Sequence, residues 1–108
     1  WTESAAAGTR EMKVKEFLEA CTQATEPEGV GKPLLSLWYD KRGDWDRAHQ
    51  IAQGIPTPLG SAVHAYLHRE EGDAGNAAYW YSRAGRPVYR GDLDAEWTAL
   101  VHESAEPD

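Results

Sequence analysis

The chain has 108 residues, 41% of them apolar and 10% aromatic, with 18 acidic against 11 basic side chains and a formal charge of −7. That length suffices for one core, and the acidic balance argues against a phosphate-tracking surface, because nucleic-acid binding draws on clustered Lys and Arg. No apolar run approaches the roughly 20 residues of a membrane-spanning helix, no charged start leads into the apolar stretch of a secretory leader, and the lone Cys21 has no partner for an internal disulfide; together these predict a cytoplasmic protein with a buried thiol.

Residues 1–8, WTESAAAG, are small and polar and read as a loose arm ahead of Thr9, a candidate N-cap. Over 10–23, Val14, Phe17, Leu18 and Cys21 share one stripe while Lys13, Lys15, Glu16 and Glu19 take the rest, which predicts an amphipathic first helix. Glu26, Pro27, Gly29 and Gly31 break that pattern into a loop. Pro33 suits the first turn of a helix in which Leu34, Leu37, Trp38 and Lys41 follow at helical spacing, as far as Gly43. Asp44 then caps a helix with Trp45, Ala48, Ile51 and Ala52 on its buried side, and Gly54 and Pro56 end it.

Pro58 opens the next helix, where Leu59, Ala62, Val63, Tyr66 and Leu67 mark one face; after Gly72-Asp73, Ala77, Trp80, Tyr81 and Ala84 repeat the pattern. Two helices joined so briefly fold back antiparallel. An irregular piece at 88–91 leads to Asp92, the cap of a last helix over 92–103 with Leu93, Trp97, Leu100 and Val101 on one side, and 104–108 read as a frayed tail. No segment alternates as a strand does.

Gly43-Asp44 recurs as Gly72-Asp73, and the overlay carries Ala48 onto Ala77 and Ile51 onto Trp80. Glycine takes the left-handed turn that ends one helix, Asp caps the next, and alanine lets two axes approach. At these residues LLSLWYDKRGDWDRA resembles the first helix and turn of a tetratricopeptide repeat, with Leu35, Ser36 and Tyr39 at its large, small and aromatic positions and Ala48 at its small contact. GDAGNAAYWYSRAG is similar to the second helix of Sel1-like repeats, with Ala77, Tyr81 and Ala84 in place. In the second unit His64 and His68 replace the large apolar and aromatic residues, and the repeat is shorter than the roughly 34 residues of the type. The string from His64 to Pro87 also resembles that of a group of small bacterial proteins.

The resemblance covers 33–87 and implies an all-α fold: a right-handed stack of antiparallel helical hairpins, with five principal helices and no sheet. One domain would span 1–108, with 33–87 as its two-hairpin core and 92–103 as a capping helix. The implied function is a non-enzymatic interaction module that binds a protein partner or a second copy of itself, with no nucleic acid and no membrane involved.

His64 and His68 lie one helical turn apart, at roughly 5 to 6 Å between Cβ atoms, a spacing that can hold a divalent metal. Glu71 continues their face as a candidate third, oxygen ligand, and His49 can approach from the neighbouring hairpin. Ala65 stands where the helical zinc proteases need a Glu, so hydrolysis by that route is not expected. The helical wheel sets the two histidines opposite the apolar face, whereas the repeat overlay buries them. Both hold if this helix is central and covered on two sides, near aromatic rings from the helices of Trp38 and Tyr81. Tyr79 and Tyr89, beside Arg83, Arg86 and Arg90, make a candidate partner- or ligand-binding surface, unless the arginines pair with this chain's own carboxylates. Thus the alternative to an interaction module is a small metal- or ligand-binding protein, and a third reading is an enzyme acting on a small acid through the histidine pair and an arginine.

Overall fold

The computed structural model describes residues 12–105. Within them run six helices: α1 Val14–Ala20, α2 Lys32–Lys41, α3 Trp45–Gln53, α4 Pro58–Glu70, α5 Ala74–Ala84 and α6 Leu93–Ser104. No sheet occurs among the described residues, so the chain is all-α there, with six helices where five principal ones were expected.

The two Gly-Asp turns have the same geometry. Gly43 and Gly72 adopt φ of 89° and 91°. Asp44 N–H reaches back to Tyr39 O and Asp73 N–H to His68 O, each at 2.9 Å, the six-to-one bond of a glycine-terminated helix. Asp44 and Asp73 then accept from the N–H of Arg47 and Asn76, both at 3.1 Å, and so start α3 and α5. Two hairpins result, α2/α3 and α4/α5.

Helix α4 is the centre. Every residue from Ala62 to His68 is buried, which requires cover all round the axis. α5 packs along one side, α2 and α3 along another, and α6 lies across α4 and α2. The conflict between helical wheel and repeat overlay is thereby resolved: His64 and His68 retain only 4% and 7% exposure. Small residues set the α2–α3 approach, where the buried Ser36 hydroxyl donates to Ala48 O at 2.8 Å.

Three indole N–H groups tie helices together. Trp38 donates to Ala20 O at 2.9 Å, Trp97 to Leu37 O at 3.1 Å, and Trp45 to Leu67 O at 2.7 Å. A tryptophan so placed buries a large ring and spends its one polar atom on a neighbour's backbone.

Several local expectations need correction. α1 is confined to Val14–Ala20 because Lys13 is its N-cap, with Glu16 Oε1 accepting from Lys13 N–H at 3.1 Å, and the chain turns away at Cys21. Cys21 is half-buried rather than buried. Thr9 and the arm at 1–8 lie outside the described residues. α2 opens at Lys32 with Pro33 in its first turn, as expected. Lys41 lies outside the buried stripe, with Nζ 4.5 Å from the Trp97 ring centre. In α6, Leu93 is exposed, and the buried side takes Glu96 and Ser104 instead; Ser104 is the last helical residue rather than part of a frayed tail.

Candidate metal centre

Helix α4 presents His64 and His68 on successive turns, and their rings stack with centroids 4.8 Å apart and planes 26° from parallel. His49 arrives from α3, edge-on to both, at 4.6 and 5.0 Å between centroids. His64 Nε2 and His49 Nε2 are 2.9 Å apart, and a ring nitrogen from each of the three histidines lies within 4.8 Å of the other two. The hairpins bring this trio together: His49 belongs to the first, His64 and His68 to the second.

Tryptophans wall the cluster. Trp45, one turn before His49, stacks on that ring at 4.8 Å and meets His68 edge-on at 5.8 Å, while Trp80 of α5 stacks on His64 at 3.9 Å. Trp80 comes from the helix of Tyr81, as expected; the second wall comes from α3 and not from the Trp38 helix. His49's neighbour at four residues' distance was a legible sign that Trp45 would cover it.

Burial, reinforced by the neighbouring rings of His49 and His68, pushes His64 down to about 4. His49 is lowered for the same first reason, against opposing pulls from Glu71 and Asp46. Both imidazoles are therefore uncharged at neutral pH, the state a metal ligand must have. Glu71 Oε2 lies 2.8 Å from His68 Nδ1. Glu71, an acceptor, is thus placed to take a hydrogen from His68 Nδ1, which in a neutral ring leaves Nε2 as the ligand atom.

Tetrahedral zinc at ~2.0–2.1 Å from each imidazole sets ligand nitrogens about 3.3 Å apart. The His49–His64 separation of 2.9 Å is close to that value, and His68 offers its nitrogen within 4.8 Å of both. Three protein ligands leave a fourth position for water or another donor. A second grouping, His68 with Glu71 and Asp73, is weaker, because Asp73 already accepts from Asn76 N and Nδ2 at 3.1 Å as the cap of α5.

The surface residues separate into two places. Tyr79, 53% exposed, and Arg83 share the outer side of α5, where Arg83 Nη1 donates to Tyr79 OH at 3.1 Å. Arg86 donates to Glu103 through Nη1 and Nη2 at 3.0 and 2.9 Å, the intramolecular pairing that the sequence offered as the alternative. Tyr89 is half-buried, 5.6 Å below the Arg69 guanidinium. Arg86 and Tyr89 border a small cavity of about 110 Å³ beside Tyr81 and Glu96, away from Tyr79. No helix among the described residues is long and apolar enough to cross a membrane. No family model matches the chain, and neither a curated protein nor a solved structure does.

Proposed function

We propose that this helical domain holds a divalent transition-metal ion on His49, His64 and His68, with Glu71 orienting His68. The observation that carries the reading is the convergence of three imidazole nitrogens within 4.8 Å of one another, two of the rings held uncharged by burial. An all-imidazole set favours zinc, nickel or copper over calcium or magnesium, which prefer oxygen. Binding rather than hydrolysis is the role assigned, since Ala65 stands where a zinc protease carries its general base.

The test uses tag-free protein, stripped with chelator and titrated with Zn²⁺ by calorimetry. One ion per chain is expected. His49→Gln, at the half-buried position, should lower affinity at least tenfold with helicity retained, and Glu71→Gln should lower it by roughly 10- to 100-fold. Uptake well below one ion per chain, or a His49→Gln protein that binds like the parent, would discard the reading.

A second reading concerns the hairpins as an interaction module. The matching φ of Gly43 and Gly72 supports two hairpins of one repeated kind, as a tetratricopeptide-like stacking within one domain requires. Because α6 lies across α2 and α4, the first helices of the two hairpins, the second helices keep their outer sides, and we assign a protein partner or a second copy to that of α5, where Tyr79 is exposed. Light scattering on Tyr79→Ser against the parent addresses it. A parent that is monomeric at all concentrations and retains no protein on affinity capture would remove it.

A further inference from the structure

One turn along from the histidines, the same three helices enclose a second feature. Gln53 follows His49 on α3, Ser61 precedes His64 on α4, and Trp80 and Arg83 come from α5; with the 55–58 connection they border a cleft of about 360 Å³. That volume is at the low end of the range for small-molecule sites. Its lining combines an apolar portion from Ile55, Pro56 and Trp80 with hydroxyl, amide and guanidinium donors, and among the described residues contains no acidic one although the chain carries −7.

Arg83 is the only charge on that lining among the described residues. Among the described residues it forms no ion pair with a carboxylate, in contrast to Arg69 and Arg86. Its guanidinium lies 5.4 Å from the Trp80 ring centre and donates to Tyr79 OH. Since His64 covers one face of Trp80 at 3.9 Å, the indole is fixed as a wall between cluster and cleft. A guanidinium held by aromatic rings keeps spare N–H donors in the fork geometry that matches a carboxylate.

We propose that this cleft binds a small molecule with one carboxylate and a flat apolar body, the carboxylate on Arg83 with Ser61 and Gln53 as further donors, and the body against Trp80 and the 55–58 connection. A single cation in an acidic chain favours a monoanion over a phosphate dianion. The site stands on its own lining and does not need a metal on the histidines.

The experiment titrates chelator-stripped, tag-free full chain with benzoate, nicotinate and indole-3-carboxylate, each beside its primary amide, and follows the Trp80 indole and Arg83 side-chain resonances by NMR. At least one acid should bind about tenfold or more tightly than its amide and shift both signals. Arg83→Gln should abolish that preference with zinc uptake unchanged, and Arg83→Lys should restore part of it. Amides binding as well as acids, an Arg83→Gln protein with the preference intact, or no shift at Trp80 with any of the acids would each overturn the assignment. His68→Gln separates the two sites: it should lose zinc and keep the acid. Loss of the zinc centre alone leaves the cleft standing, and loss of the acid alone leaves the zinc centre.

Discussion

Gly60 has no side chain because Ile55 occupies its place. A Cβ there would lie 2.5 Å from Ile55 Cβ and 2.6 Å from Ile55 O, so neither a rotamer change nor a small backbone shift relieves the clash. Gly60→Ala should therefore destabilise by about 1–3 kcal/mol through overpacking. Gly75, in the first turn of α5, has only Asp73 Oδ1 at 4.0 Å, and Gly75→Ala should stabilise by about 0.4–1 kcal/mol through the unfolded chain. Urea denaturation of the two variants checks both signs; equal effects would defeat the packing argument. Glu96 is a second case. Its carboxylate, 4% exposed, accepts from Arg69 Nη1 at 3.0 Å and from Tyr81 OH, contacts that oppose the upward push of burial on its pKa. Glu96→Ala strands a partly buried guanidinium and should cost about 3–5 kcal/mol, while Glu96→Leu should cost less than Glu96→Ala. Thermal melts of the pair decide it, and a Leu variant weaker than the Ala variant would contradict it. None of this was legible from the α6 stripe, because periodicity names a face and says nothing of partners that arrive from α4 and α5.

At the scale of helices, the legible part was what local chemistry fixes. Gly-Asp turns, proline starts and the apolar stripe of α4 each act within a few residues, and each appears where it was read. The length of α1 was not legible in the same way, because a stripe over 10–23 does not reveal that Lys13 caps the helix and Cys21 ends it. Nor does any stripe reveal what happens where α2 and α4 end close together. Asp40, buried in the last turn of α2, accepts from Tyr66 OH at 3.1 Å and lies beside Glu70 at the end of α4. Glu70 keeps an exposed side, and partial desolvation of its carboxyl, with a hydrogen bond to Asp40 and that carboxylate's charge, pushes it up to about 8. A carboxyl whose pKa is raised on folding stabilises most below its ordinary value of 4.5, and that contribution fades as pH rises through about 8. In chelator-stripped protein, the melting temperature of the parent should therefore fall between pH 5 and pH 9 relative to Glu70→Gln, which stays neutral. Curves that remain parallel across that range would refute a protonated Glu70 held against Asp40.

Taken whole, the molecule ties its helices crosswise. Trp38 links α2 to α1, Trp97 links α6 to α2, and Trp45 links α3 to α4, the one of the three that spans the two hairpins. The histidines lie along that same seam, stacked on Trp45 from the first hairpin and Trp80 from the second. The His64–His68 pair was visible as a spacing, and His49 as a residue within reach; that all three nitrogens converge depends on how one hairpin seats on the other, which no local pattern encodes. An ion held there would bind only when both hairpins are folded and docked, so its binding energy adds to the stability of the assembled pair. At free Zn²⁺ a hundred times the dissociation constant the gain should be about 2.7 kcal/mol. Hydrogen exchange should slow in α3 as well as α4, because opening either hairpin releases the ion. His49→Gln should abolish the added protection in α3 and α4 together, since it removes the only ligand supplied by the first hairpin. Zinc that protected α4 and left α3 unchanged would place the ion on the second hairpin alone, with His68 and Glu71, and would disprove a centre shared across the seam.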